Sequence, residues 1–565
     1  LRFCGVPVFR QRCLCALGPD RPLTLRAKFC VIGTGAGGGI LAYRLAKAGA
    51  DVLVINSGGI PAQAEFQNEL SPEQKGHFEI DPRTTFPVRP KMTFVHPLLA
   101  DAGSRSSMKG PREGEFLHYQ IHHVNGLQNL WNGVCLRYSE DDFANRHPYS
   151  EDCRWPISLG DLANHYSEVE RLALLVGERN GLRQFPDGSF LAPRSARQVD
   201  RIFIDCNAGS LGPDLFLFEN RKAVDLRPDS AQKCVACGNC GRGCRAGSVY
   251  KFSTHLLPEI KALPNFRLLE HTRVIKLTAL DSNNAEGFSI SRIVAIDERD
   301  AQIVEIEAEV VIVCAGAIES PRLLLNSFAD DQSKAEQVGE FLQDSPRTVV
   351  GTSLFRLWYK PANEDRGYGD HLLLGGQIKD SQGKRFPFVG QFWSDFMKVP
   401  FYLAEIPRLP RFLVESISRQ VFKSTATLVL FSPAVPQRKN KVVLADWLDR
   451  FGQRQVRIDY ESSEIETDHR RQLDALGRRM LRKASGYIAD NAGSPPGSSI
   501  HYVGTCRMAA DSKGGVVDKD LKYFKSKNLY VCDGSVMPVL SEKHPTLTIM
   551  ALADRLAEHL IETYI

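Results

Sequence analysis

The sequence predicts an α/β protein in which a Rossmann-type dinucleotide-binding domain is joined to a second, strand-rich domain. A strand, Gly-rich turn, helix and strand follow one another near the start, strand-like runs recur between residues 346 and 495, and 565 residues are too many for one compact core. Apolar residues make up 43% of the chain, enough to fill two or more cores. Lys plus Arg exceed Asp plus Glu by 71 − 66 = 5, spread along the chain, so composition gives no support for nucleic-acid binding. No apolar run approaches the roughly 20 residues that cross a bilayer, which argues against an integral membrane protein.

Residues 1–27 are expected to form an N-terminal extension; they begin with neither an initiator Met nor an apolar stretch of signal-peptide length. Of the fourteen cysteines, Cys4, Cys13 and Cys15 form a loose trio here, and Cys30, Cys314 and Cys532 sit inside apolar runs as small hydrophobes do. That usage fits a reducing compartment and favours a cytoplasmic or peripherally membrane-associated location.

The first motif is KFCVIGTGAGGGILAYRLAKAGADVLVIN, residues 28–56, a βαβ unit in outline. Gly33, Gly35 and Gly38 form G-x-G-x-x-G: a tight turn, a close approach of backbone to pyrophosphate, and close packing of helix on strand. The helix N-terminus then faces the phosphates. At the end of the second strand, where an acid normally bonds the adenosine ribose, stands Asn56, an amide without the charge-assisted strength of a carboxylate.

Further on, VCLRYSEDDF (134–143), WPIS (155–158), VVIVCAGAIESPRLLLNS (310–327) and VGEFLQDSP (338–346) precede three closing motifs, HYVGTCRM (501–508), NLYVCDGSVMP (528–538) and HPTLTIMALADR (544–555). In this order and spacing they resemble the glucose-methanol-choline (GMC) family of flavin oxidoreductases, from about residue 28 to the end. The resemblance implies a discontinuous FAD-binding Rossmann domain and a substrate domain whose antiparallel sheet roofs the flavin. It places Asp533 and Gly534 against the phosphates and ribityl chain, Ala315 and Gly316 along the nucleotide half, Val274 at the adenine, and Thr546 in the closing cofactor motif. His501 matches the family's catalytic base and His544 its partner.

The chemistry agrees with those residue types. Oxidising an alcohol removes a hydroxyl proton and a hydride; a neutral imidazole suits the first, and flavin N5 accepts the second. A second polar group that orients the hydroxyl stabilises developing alkoxide charge. His122 and His123 match no motif and are read as surface or core residues. Two departures from the family bear on the cofactor. The small, hydroxyl-rich stretch before a Trp is here NGLQNLW, keeping Gly126 and Trp131 but placing Leu127 and Gln128 where hydroxyls stand. Some relatives tether FAD through a His beside that Trp, and Leu130 cannot, so FAD is expected to be non-covalent.

Mid-chain, CVACGNCGRGC sets Cys234, Cys237, Cys240 and Cys244 at C-x2-C-x2-C-x3-C. This is the bacterial ferredoxin spacing with Arg245 in place of the following Pro; Gly238, Gly241 and Gly243 allow tight wrapping. An iron-sulfur cluster, strained disulfides, structural thiols and, less comfortably, a tetrahedral zinc all remain open. The run resembles an insertion in a GMC subgroup of long-chain alcohol oxidases and sugar dehydrogenases, where cysteines near this point hold a 3Fe-4S cluster. A cluster would carry electrons to a cytochrome or quinone partner.

The expected organisation is an extension (1–27), three FAD-domain parts (28–155, 231–345 with the cysteine loop, and 496–565 with the histidine pair), and substrate-domain segments (156–230 and 346–495). The leading reading is an FAD-dependent oxidoreductase acting on an alcohol or sugar hydroxyl. Its rivals are a degenerate homologue serving as a structural subunit of an assembly, and an NAD(P)-binding enzyme, which leaves the C-terminal motifs unexplained.

Overall fold

The computed structural model describes residues 23–62, 116–144, 153–281, 287–353, 367–394, 425–484, 487–488 and 494–565, apart from Asn239 and Gly369. Cys4, Cys13, Cys15 and most of the expected extension lie outside the described residues.

The chain enters as β1 (Leu23–Ile32), α1 (Ala36–Lys47) and β2 (Val52–Ile55), the strand, helix and strand read from the Gly-rich turn. β1 starts inside the stretch expected to be an extension, because Leu23–Ala27 already pair in parallel with Val304–Ala308. β2 is apolar and buried at every position, as a strand covered on both faces must be. Helices α2 (Ala163–Leu172) and α3 (Gln198–Asn207) follow, then β3 (Leu215–Glu219). α2 is shorter than the amphipathic pattern suggests, since Leu174 just past its end adopts a left-handed φ of 53°.

β4 (Phe266–Leu269), β5 (Thr272–Asp281), β6 (Phe288–Asp297), β7 (Ile303–Val313) and α4 (Gly316–Ser327) return the chain to the first sheet. β8 (Arg347–Ser353), β9 (Leu372–Lys379), β10 (Arg385–Ser394) and β11 (Thr425–Phe431) then build a second one. β12 (Lys441–Leu448), β13 (Arg454–Asp459), α5 (Glu464–Ala484), β14 (Tyr487–Ile488), β15 (Leu529–Val531) and α6 (Thr546–Tyr564) complete the order.

The first sheet has seven strands, β4-β2-β1-β7-β6-β5, with β15 also pairing β7. β1, β2, β4, β7 and β15 pair in parallel, and β5, β6 and β7 meet antiparallel. The strands come from three separated stretches of sequence, so the Rossmann-type unit is discontinuous. One large apolar core joins β1, β2, β7 and β15 to α1 and α6.

The second sheet has six strands, β14-β8-β11-β10-β9-β3, all antiparallel. Alternation sorts its side chains. Phe388, Phe392, Leu428 and Leu430 pack under α5 through Leu473, Leu476 and Met480. Phe203 of α3 stacks on Phe392 with ring centroids 4.1 Å apart. Val349, Val389, Trp393, Val429 and Phe431 occupy the opposite face. KVVLADWLD, expected to belong to this sheet, instead pairs with β13 as a separate two-stranded hairpin.

Candidate active site

Three strand ends converge on the N-terminus of α1. Gly33 N–H donates to Ile55 O, Cys314 N–H to Ile32 O and Cys532 N–H to Val313 O, each at 2.8 Å. Gly33 has φ of 101°, and a Cβ there would stand 2.5 Å from Cys314 O. Gly37 and Gly38 are closed in by the Cys532 and Gly33 carbonyls, so only glycine fits. Gly35 differs: a Cβ there meets nothing within 4 Å. Open space beside α1's free N–H groups is the cradle a pyrophosphate requires.

The loop carrying Asn125 and Gly126 closes over this turn with φ of 76° and 55°. Asn125 N–H donates to Thr34 Oγ1 at 3.1 Å, and Gly126 lies beside Gly35. Gln128 is buried with neither amide atom hydrogen-bonded to protein, an orphan pair of the kind a polar ligand satisfies. Asn56 sits buried at the end of β2; its amide accepts from Thr34 Oγ1 at 2.8 Å and donates to Gly58 O at 3.0 Å, so it fastens the loop first. Thr272 N–H donates to Asn56 O at 3.0 Å, which brings the start of β5, with Val274 two residues on, to the same edge.

Asp533 follows β15 and braces α4: its carboxylate accepts from Gly316 N–H at 2.9 Å, Ser320 Oγ at 2.5 Å and Ser535 N–H at 2.8 Å. Ala315 N–H donates to Ser320 Oγ at 3.0 Å. Gly534 packs on Tyr502 O, one residue from His501, and Thr546 opens α6 directly after His544. These strand ends and helix starts share one rim. Trp131 turns elsewhere: its indole N–H donates to Tyr250 O at 2.9 Å and its ring packs on Cys240 and Cys244. His123 bonds Gly59 O and plays no part in this rim.

The structure brings His501 and His544 together, ring centroids 4.7 Å apart and nearly perpendicular at 71°. Phe431 of the roof sheet packs on both, at 5.3 and 5.2 Å. His501 Nδ1 lies 2.9 Å from Ser345 Oγ, and its backbone N–H donates to Asp344 Oδ1 at 2.8 Å. When Nδ1–H donates to Ser345, Nε2 is the open acceptor.

His544 is tied to the roof. Trp393 Nε1–H, which can only donate, gives its proton to Gln391 Oε1 at 3.1 Å; Gln391 Nε2–H therefore donates to His544 Nε2 at 3.0 Å. That leaves a neutral His544 protonated on Nδ1, which is buried without a partner among the described residues. Burial holds both histidines neutral: His544 is pushed down to about 3 by desolvation and then by Lys222, and His501 falls well below its ordinary value through desolvation, His544 and Arg347. Ser345, Asp344, Gln391, Trp393 and Phe431 escaped sequence reasoning as site residues. Asp344 and Ser345 stood in the quoted LQDSP; the other three are joined to the site only by strand register.

Cys234, Cys240 and Cys244 lie within electrostatic reach of one another, but no group of three or more ligating side chains among the described residues is arranged for a metal ion. Cys237 is exposed, in a strand bridge to Gly367. Cys240 and Cys244 pack with Val249 and Trp131, and Cys234 packs with Val176, Val224 and Tyr368. Burial raises the Cys234 and Cys240 thiols, so that without a metal both are protonated. The run wraps a buried Lys222–Asp370 ion pair of 2.5 Å. The described residues of this run therefore give an iron-sulfur cluster no support.

No helix among the described residues is long and apolar enough to cross a membrane. Residues 221–347 and 436–553 match the two GMC oxidoreductase family models, N-terminal and C-terminal, and residues 29–95 match the ketopantoate reductase PanE/ApbA model, which begins on the βαβ unit. The chain is similar to 6'''-hydroxyparomomycin C oxidase of Streptomyces lividus, 26% identical over 94% of this chain and 91% of that protein. It is similar to the fructose dehydrogenase large subunit of Gluconobacter japonicus, 24% identical over 95% and 98%. A third relative is 2-methyl-1,2-propanediol dehydrogenase of Mycolicibacterium austroafricanum, 25% identical over 94% of each. Among solved structures, pyridoxine 4-oxidase from Mesorbium loti shares the fold, with TM-score 0.61 and 17% identity over 95% of this chain and 100% of that one.

Proposed function

Because the chain belongs to the GMC oxidoreductase family, we propose that it binds FAD non-covalently and oxidises an alcohol or sugar hydroxyl to a carbonyl. The observation that carries this is the buried His501–His544 pair, rings 4.7 Å apart beneath the roof sheet. FAD, when bound, supplies the acceptor for the hydride that leaves the carbon.

Gly33, Gly35, Gly38 and Gly126 would hold the phosphates, Asn56, Val274, Ala315 and Gly316 the nucleotide half, and Asp533, Gly534 and Thr546 the end nearer the chemistry. Trp131 supports the closing loop from behind, through its bond to Tyr250 O. Leu130 offers no atom for a covalent tether. His501, neutral because it is buried, takes the hydroxyl proton at Nε2 while Ser345 fixes its ring at Nδ1. His544 offers its Nδ1–H, unpaired among the described residues, to the oxygen as charge develops, with Gln391 holding the tautomer. Nothing in this scheme passes through the cysteine run.

Protein incubated with FAD and desalted should stay yellow, with one flavin per chain, and bleach when a panel of sugars and alcohols is added without oxygen. A chain that emerges colourless after FAD treatment belongs to the rival reading, a structural subunit.

A further inference from the structure

We infer that the substrate carries an acidic group near the hydroxyl that is oxidised, and that Arg347 binds it. This rests on the proposed oxidoreductase reading and specifies its substrate class.

Arg347 opens β8 directly opposite Phe431 of β11. Directly opposed residues of an antiparallel pair project to the same face, and Phe431 packs on both histidines, so Arg347 faces the same chamber. Arg347 also contributes to lowering the His501 pKa, which places its charge near that ring.

Among the described residues the guanidinium is in no ion pair: Asp344 attracts it but makes no direct contact with it. Three other buried cations are paired among the described residues: Lys222 with Asp370 at 2.5 Å, Lys543 with Asp142 and Glu542 at 2.7 and 2.8 Å, and Arg322 with Glu319 and Asp449 at 2.9 and 2.6 Å; Arg507 has only the Gln337 amide oxygen, at 2.7 Å. Arg347 has no hydrogen bond or ion pair to a described residue, and its Nε is buried and unpartnered. Asp344, the carboxyl three residues away, is otherwise engaged: its oxygens accept the backbone N–H groups of His501 at 2.8 Å and Ser499 at 3.1 Å. Burial raises that carboxyl to about 6, with Arg347 pulling against the rise.

An unpaired, desolvated guanidinium is costly to keep, and its planar fork suits a carboxylate or phosphate. A neutral sugar would leave it unpaired, and an amino sugar would be repelled.

The test uses the FAD-loaded protein and its Arg347→Gln variant with matched probes: glucose, glucuronate and glucose 6-phosphate, and ethylene glycol with glycolate. Binding is read by perturbation of the flavin spectrum and by Tm. At least one acidic probe should bind the wild type more tightly than its neutral counterpart, and weaken on the order of 10-fold to 10³-fold in the variant. Whether glucuronate or the phosphate ester responds tells carboxylate from phosphate. The variant without ligand should keep or raise its Tm, because it sheds a partly buried cation that makes no ion pair to a described residue. Neutral probes binding as tightly as acids, acids binding both proteins alike, no response to any acid, or a marked fall in the variant's ligand-free Tm would each overturn the inference. Arg347-dependent binding with no bleaching by any probe would instead leave the anion site standing and count against the oxidoreductase reading.

Discussion

His501 serves as a base only while its imidazole is neutral, and its surroundings keep it neutral. Desolvation, His544 and Arg347 all push its proton affinity down. The acid limb of kcat/KM should accordingly lie well below pH 6.5, the ordinary histidine value; a limb at or above 6.5 would mean that the ring is more solvated than the structure has it. His501→Ala should lower kcat by roughly 10²-fold to 10⁴-fold, the usual worth of a positioned base. The pair itself was legible in HYVGTCRM and HPTLTIM. Gln391 and Arg347 were not, because each reaches the site by lying across a strand from a residue about 40 to 80 positions away, and register is not written in any one segment.

At the scale of the element, the Gly-rich turn separates packing from binding. Gly37→Ala and Gly38→Ala would press Cβ into the Cys532 and Gly33 carbonyls, backbone atoms that cannot swing aside. Each should cost about 1–3 kcal/mol or more, visible as a lower Tm with and without cofactor. Gly35→Ala enters open space, so its cofactor-free Tm should match wild type while its affinity for FAD drops. Equal FAD affinity would show that the phosphates lie elsewhere. The turn was readable because its glycines, strand and helix are contiguous. The cysteine run is equally contiguous, yet its spacing does not say how the thiols point: Cys237 faces outward while Cys240 and Cys244 pack inward. Iron and zinc assays on purified protein should find neither at one per chain; stoichiometric iron would restore the cluster.

Among the described residues, buried and half-buried histidines set a common response to acid. His118, His255, His469, His501 and His544 all have folded pKa values below the unfolded 6.5, His255 and His469 near 4 and His544 near 3. Below pH 6.5 the unfolded chain takes up protons that the folded one refuses, so their contribution is intact above 6.5 and lost as pH falls. Asp344, raised to about 6, acts in the opposite sense between 6 and the ordinary carboxylate value, offsetting part of this. Tm should therefore decline from pH 7 to pH 5; a rise over that interval would contradict the burial of these rings. The discontinuous architecture was foreseeable from motifs scattered over the chain, whereas the outlying hairpin β12–β13 was not, since a strand pattern does not say which sheet it joins.

The central claim is that a neutral, buried His501 activates a hydroxyl beside bound FAD. Anaerobic mixing of FAD-loaded protein with a hydroxyl substrate, followed at the flavin band for wild type and His501→Ala, tests it most directly. Rapid bleaching in the wild type, slowed by about 10² or more in the variant at unchanged flavin content, is the predicted result. Equal bleaching rates in the two proteins would contradict it.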